Sequence, residues 1–216
     1  MACKRTTYFI CCDGITLSDK VLKQGITRSF EANTTILDAE SGVNNVYYVL
    51  EGELAVTAPA KSGEDKNIFF VKKHMIYGEL HLFCQELNMC RLTTTRPSVI
   101  VIFTFKDAQR LFEENKQFRE LFLSSLSRKI LTLTAEIASL NSNSTEERIY
   151  NCLLELSAHR QDGGEGEIKI TQHELSTILG MHRITVNRVL TRLEETGLLK
   201  RSRNRITLLN TGTPAA

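Results

Sequence analysis

The stretch from Ile168 to Leu209 constrains the chain most. Thr171-Gln172-His173-Glu174 matches a capping box, in which Thr171 takes the backbone amide of Glu174 and Glu174 reaches back. A helix is expected from there to Leu179. Gly180 breaks it, a second helix starts near His182, and Gly197 ends that helix as the glycine just past its C-cap. Rotating the second helix by about 100° per residue puts Val186, Val189, Leu190 and Leu193 on one face. Ile184, Asn187, Arg188 and Thr191 fall opposite, with His182 and Arg183 at the N-terminal end. Leu198-Leu199-Lys200 and Arg205 to Leu209 then read as two strands around the turn Arg201-Ser202-Arg203-Asn204, a basic wing. Helix, tight glycine turn, helix and basic hairpin in this order is far more specific than any part alone.

Charge follows the same partition. The whole chain of 216 residues has 27 Lys and Arg against 25 Asp and Glu, a net charge of +2. Between Ile168 and Asn210 there are eight basic and three acidic residues, or +5, which leaves −3 for the remainder. A near-neutral total therefore hides a basic C-terminal module, the footprint expected of a nucleic-acid binder. Hydrophobic residues at 42% and charged ones at 24% exclude a disordered chain. No apolar run reaches the roughly 18 residues of a membrane span, so no membrane association is expected. The short run Tyr8 to Cys12 is followed at once by Asp13, unlike a secretory signal. The cysteines at 3, 11, 12, 84, 90 and 152 are thus expected as reduced thiols in a cytoplasmic protein. No nucleophile triad, zinc-hydrolase or phosphate-loop spacing occurs, and no enzyme is expected.

The remaining chain divides in two. Residues 20–105 are rich in β-branched and aromatic residues, in short runs separated by Gly42, Gly52, Gly63 and Gly78. Val46 to Leu50 and Leu54 to Thr57 read as a hairpin with Gly52 in the turn. Asn67 to Val71 and Ser98 to Phe105 read as further strands, the latter buried. Short strands at this spacing predict a small barrel or sandwich. From Lys106 to Leu140 the period changes, and no Gly or Pro interrupts the run, so one long helix is predicted. Leu126, Ile130, Leu133, Ile137 and Leu140 form a heptad-like stripe along it. That stripe suits a helix-helix dimer seam, or packing within its own domain. Asn141 to Ser144 read as a hinge, and Ser144 or Thr145 with Glu147 caps a following helix to His159.

These residues together resemble the Crp/Fnr superfamily of bacterial transcription regulators, over about residues 20–210. The resemblance is carried by Val46-Tyr47-Tyr48-Val49-Leu50-Glu51-Gly52-Glu53-Leu54, by Tyr77-Gly78-Glu79-Leu80-His81-Leu82-Phe83, and most strongly by Ile170 through Leu190. It implies an α+β chain: a double-stranded β-roll of the cyclic-nucleotide-binding, jelly-roll type (1–105), a long dimerisation helix (106–141) and a winged helix-turn-helix (142–216). It implies a homodimer on a two-fold symmetric DNA operator, acting on RNA polymerase. Thr171, His182, Arg183, Ile184, Asn187, Arg188, Arg201 and Arg203 are the expected DNA contacts.

Departures from the family pattern narrow the effector. Cyclic-AMP-binding members follow their Gly-Glu-Leu segment with an Arg-Ser or Arg-Thr pair for the phosphate. The ungapped equivalents here are Met89 and Cys90, with Arg91-Leu92 two residues off. A cyclic phosphate needs a fixed Arg or an amide cradle, so the expected effector is a small organic molecule other than cyclic AMP. Leu22 to Phe30, with Gly25, Ile26, Arg28 and Phe30, is similar to the halorespiration regulators that bind chlorinated phenols. Tyr77, Gly78, Glu79, Leu80, Leu92 and Thr134 are the effector candidates, against the alternative that several merely pack the roll. No obligatory cofactor and no metal site is expected. The alternative is a redox or metal sensor acting through Cys3, Cys11, Cys12, Cys84 or Cys90.

The recognition helix also departs from the family. Cyclic-AMP members have Arg-Glu where Arg183-Ile184 stand, and that Glu accepts from cytosine. Ile184 accepts nothing and suits a thymine methyl, which predicts a more A/T-rich operator. Arg188 is placed for a guanine edge or a phosphate, and by residue type Asn187 suits adenine.

Overall fold

A computed structural model describes residues 15–59, 65–84, 88–142, 144–159 and 166–209. These fall into two compact units, one within 15–132 and the other comprising 65–66 and 133–209.

The first unit is the β-roll. Its strands are β1 (Ile26–Phe30), β2 (Thr35–Leu37), β3 (Asn45–Glu51), β4 (Glu53–Ala58), β5 (Lys66–Lys72), β6 (Ile76–Tyr77), β7 (Arg91–Thr94) and β8 (Ser98–Thr104). One sheet has the order β1-β8-β3-β6 and the other β2-β7-β4-β5. The hairpin expected at Gly52 is therefore not one. β3 pairs with β8 and β4 with β7, both antiparallel, so the two halves of the run lie in different sheets. What looks like a hairpin turn is the corner where a long ribbon, 45–58 against 91–104, folds over from sheet to sheet. Gly52 sits there at φ +93°, and a Cβ would lie 2.7 Å from the Pro97 carbonyl oxygen and 2.1 Å from Ser98 Oγ. The corner is bonded by Glu53 N to Ser98 Oγ and by Thr95 N to the Glu53 carbonyl. Glycine is needed for this close crossing, as it would be for a tight turn, so the residue alone does not separate the two.

β8 reads as an unbroken apolar run because both its faces are covered. Ile100 points between the sheets with Leu54, Val56, Phe69, Val71 and Leu92. Val101 and Phe103 point outward onto helices. In β5 only Asn67, Phe69 and Val71 are buried, which gives a strict alternation.

The helices covering that face are α1 (Asp19–Leu22), α3 (Phe105–Glu114) and the start of α4 (Lys116–Ser142), with α2 (Glu79–Phe83) following β6. The single helix expected from 106 breaks at Asn115, which takes an extended conformation at φ −113° and ψ 111°. Its Oδ1 accepts from Phe118 N at 2.9 Å, so Asn115 caps the second helix with its own side chain. Neither Gly nor Pro is needed for such a break. Edge-on ring contacts secure the two helices, with Phe112 on Phe122 at 5.3 Å and Phe103 on Phe118 at 5.6 Å. Such pairs contribute about 0.5–1.5 kcal/mol each beyond area burial.

The second unit holds the end of α4, then α5 (Thr145–His159), β9 (Glu167–Lys169), α6 (Gln172–Leu179), α7 (Arg183–Glu195), β10 (Leu199–Ser202) and β11 (Arg205–Leu208). Ser144, rather than Thr145, caps α5: its Oγ accepts from Glu147 N and its amide donates to Glu147 Oε2. Strand order is β10-β11-β9, so Ile168 and Lys169 add a third strand to the wing.

Along α4 the predicted stripe begins half-buried at Leu126, which packs on the roll core. Ile130, Leu133 and Ile137 beyond it are 63%, 42% and 60% exposed. The side chain of Leu140 lies outside the described residues.

Candidate nucleic-acid interface

The capping box is present as expected. Thr171 Oγ1 accepts from Glu174 N at 3.1 Å, and Glu174 Oε2 accepts from Thr171 N at 2.7 Å. Gly180 takes the left-handed conformation at φ 60° and turns the chain into α7. Val186, Val189, Leu190 and Leu193 are buried, while Ile184 is 84% exposed and Asn187 and Arg188 are exposed beside it. Gly197 and Leu198 donate to Glu194 and Leu193 in a Schellman arrangement, which aims β10 back along the helix.

The start of α6, the start of α7 and the wing surround a cleft of about 600 Å³. Thr171, His173, Arg183, Arg201, Arg203 and Arg205 line it, together with Gln172. His182 is the N-cap of α7, and the first turn of that helix has no acidic residue. The positive dipole end of α7 carries Arg183, which lines the cleft, a combination suited to a phosphate oxygen.

The basic residues divide into two kinds. Arg201 Nε pairs with Glu194 Oε2 at 2.7 Å, and Arg205 pairs with Glu167. Arg183, Arg188 and Arg203 enter no ion pair among the described residues and are exposed. Arg201, one of the expected contacts, is thus committed within the unit, and sequence reasoning had no signal for this because Glu194 lies on another element. Gln172, His173 and Arg205 were missed as cleft residues. The N1 position of a capped helix was the available clue for Gln172.

Glu194 accepts from the backbone amide of Arg201 and from its guanidinium, and these bonds hold its carboxyl below the usual carboxylate range, the backbone bond foremost. A lowered value in the folded state means the attachment is complete above the ordinary carboxylate range and is lost as pH falls through the lowered one. In an acid titration followed by NMR, the Arg201 amide is expected to shift with the same midpoint as Glu194, below that of an exposed glutamate. A midpoint at or above the ordinary value contradicts the attachment.

The effector candidates of the first unit sit in different settings. Tyr77 is buried and its hydroxyl donates to Asn88 Oδ1 at 2.9 Å; burial pushes the phenol well above its usual range. Gly78 is at φ +98°, and a Cβ there would lie 2.4 Å from the Asn45 carbonyl oxygen. Glu79 is 1% exposed, accepts from Ser125 Oγ at 2.6 Å and pairs with Lys129, while its Oε2 has no partner. Lys129 Nζ also donates to the Ile76 carbonyl and lies 5.2 Å and 5.4 Å from the Phe69 and Tyr77 ring centres. Leu92 belongs to the roll core, Leu80 is 57% exposed, and Thr134 is exposed in the other unit. A lysine in mid-helix reads as a solvent residue, which is why Lys129 carried no signal.

At the corner of the roll where the resemblance places a phosphate, Met89 and Cys90 stand instead of an arginine-hydroxyl pair. Met89 is 81% exposed. Arg91 Nε bonds Asp38 Oδ1 at 2.9 Å, with the two side chains 38% and 63% exposed. The buried polar group at that corner is Asn88, which bonds Asp38, Cys90 and Tyr77. Of the cysteine candidates, Cys3, Cys11 and Cys12 lie outside the described residues. Cys84 is exposed, and burial pushes the thiol of Cys90 up. Among the described residues no three or more His, Cys, Asp or Glu cluster as metal ligands, and no helix is long and apolar enough to cross a membrane.

Comparison with known proteins agrees with this geometry. Residues 147–212 match a Crp-like helix-turn-helix domain and residues 27–115 a cyclic nucleotide-binding domain. The chain is 24% identical to the cAMP-activated global transcriptional regulator CRP of Pasteurella multocida over 176 residues, 79% of this chain and 83% of that one. It is 22% identical to the global nitrogen regulator of a Nostoc species over 189 residues, 85% of each. Among solved structures, the c-di-GMP responsive global regulator CLP of Xanthomonas campestris superposes with a TM-score of 0.80 at 20% identity, over 89% of this chain and 98% of that one. OCPA-complexed CprK does so with 0.69 at 19% identity, over 88% and 90%.

Proposed function

Because the chain belongs to the Crp/Fnr family of transcription regulators, we propose that it is a homodimeric, sequence-specific regulator gated by a small organic effector other than cyclic AMP. The observation that carries the DNA half is the cleft in which the starts of α6 and α7 and the wing bring Arg183 and Arg203 together, beside the exposed Ile184, Asn187 and Arg188. The effector half is supported by the phosphate corner. Arg91 is engaged with Asp38 at the surface, and Asn88 occupies the buried position. With that guanidinium bonded to Asp38 and no arginine-hydroxyl pair at Met89 and Cys90, a cyclic phosphate gives up its water for little return. The buried carboxylate of Glu79 has one oxygen unbonded, and its partner Lys129 lies over the Tyr77 ring, which favours a ligand with a donor group on an apolar body.

Dimerisation is assigned to the exposed stretch of α4 through Leu133 and Ile137, whose spacing suits a second copy of the same helix. Ligand binding shifts DNA affinity only by its differential affinity for the two arrangements of the dimer. The chain is placed in the cytoplasm, where it meets RNA polymerase at the promoter. Selection of bound duplexes from random sequence, with and without cell extract, tests the proposal. A two-fold symmetric, A/T-rich site is the expected product, and recovery of no symmetric site under either condition contradicts it.

A further inference from the structure

Asn187 is held by its oxygen. Its Oδ1 accepts from Arg201 Nη1 at 3.1 Å and from Gln172 Nε2 at 3.0 Å. An asparagine amide can be turned end for end without changing its shape, but a guanidinium has donors only. The group facing Arg201 is therefore the carbonyl oxygen, and the Gln172 group facing that oxygen is in turn an NH2. Both lone pairs of Oδ1 are thereby committed.

Arg201 is itself fixed. Its Nε bonds Glu194 Oε2 at 2.7 Å, its backbone amide bonds Glu194 Oε1 at 2.8 Å, and its Nη2 bonds Thr191 Oγ1 at 3.1 Å. The start of α6, the outer face of α7 and the first wing strand thus converge on one amide oxygen. What Asn187 has left to offer on its exposed side is Nδ2 and its two N–H donors.

The consequence runs against what the residue type suggests. Reading adenine bidentately needs one acceptor and one donor, for the N6 amino group and N7. Guanine presents acceptors alone, N7 and O6. The geometry points to Asn187 as a donor-only specificity determinant that selects guanine over adenine, with Arg201 as the positioning residue that sets its polarity. This rests on the DNA-binding function proposed above.

The experiment is site selection with the full chain, repeated for four variants whose folding is checked by circular dichroism. Asn187→Ala marks the position read by Asn187 as the one whose preference disappears. There the unmodified chain is expected to favour guanine over adenine by about tenfold or more. Arg201→Met keeps the aliphatic stem but frees the amide to turn over, and adenine is expected to rise to within about threefold of guanine. Gln172→Leu, with Arg201 retained, is expected to leave guanine preferred. Asn187→Asp keeps the bond to Arg201 but offers only acceptors, so the guanine preference is expected to vanish; this variant decides the matter if Arg201→Met does not fold. Adenine preferred by the unmodified chain, no position erased by Asn187→Ala, or an unchanged preference in a folded Arg201→Met or in Asn187→Asp would each overturn the assignment. All three outcomes leave a symmetric site recovered, whereas loss of any symmetric site removes the DNA-binding function itself.

Discussion

Lys129→Met is expected to cost the roll about 3–5 kcal/mol, the usual penalty for removing one partner of a buried ion pair. Glu79 is 1% exposed and Lys129 12%, so neither charge has water to fall back on. With the ammonium gone, the carboxylate keeps only the Ser125 hydroxyl, and its second oxygen is already without a partner. Urea unfolding reads the loss as a lower midpoint at unchanged slope. Lys129→Met combined with Glu79→Gln is expected to recover most of it, because the double change removes the stranded charge. A single-variant loss below about 1 kcal/mol would mean that water reaches the pair and that it does not close the roll interior.

Arg188→Ala has the largest expected effect on DNA binding, about 1–3 kcal/mol at the best site if the guanidinium reads a guanine edge. Arg188 is exposed, one turn beyond Ile184 on the face away from Leu190 and Leu193, and enters no ion pair among the described residues. Nothing within the unit competes for it, in contrast to Arg201. Competition binding against a point-mutated site measures the effect. A base-reading role predicts a loss confined to the preferred sequence. A phosphate contact instead weakens all sequences alike and lowers the salt slope by about 1.

What was legible in the sequence was what is decided within a few residues. The capping box at Thr171, the left-handed Gly180, the end at Gly197 and the two faces of α7 all follow from local backbone needs and a 3.6-residue period. The roll was legible as alternating short strands but not in its pairing. Gly52 looks the same in a hairpin and in a sheet-to-sheet corner, and the distinction lies in the partners of Leu54 and Val49, which are Thr94 and Ile100, some 40 to 50 residues away. Asn115 broke a helix that contained no Gly or Pro by capping the next one itself. The polar interior was least legible. Lys129 turns inward because Glu79, Phe69 and Tyr77 wait on other elements, and Arg201 turns onto α7 because Glu194 does. Long flexible cations have no sequence period, and their partners decide where they go.

The central claim is that the second unit reads DNA sequence rather than merely holding phosphates. Anisotropy titration of the full chain with the selected duplex and with a scrambled duplex, at one fixed salt concentration near physiological, measures it most directly. The selected site is expected to bind at least about a thousandfold more tightly, as specific regulators do. Equal affinity for the two duplexes would contradict the account.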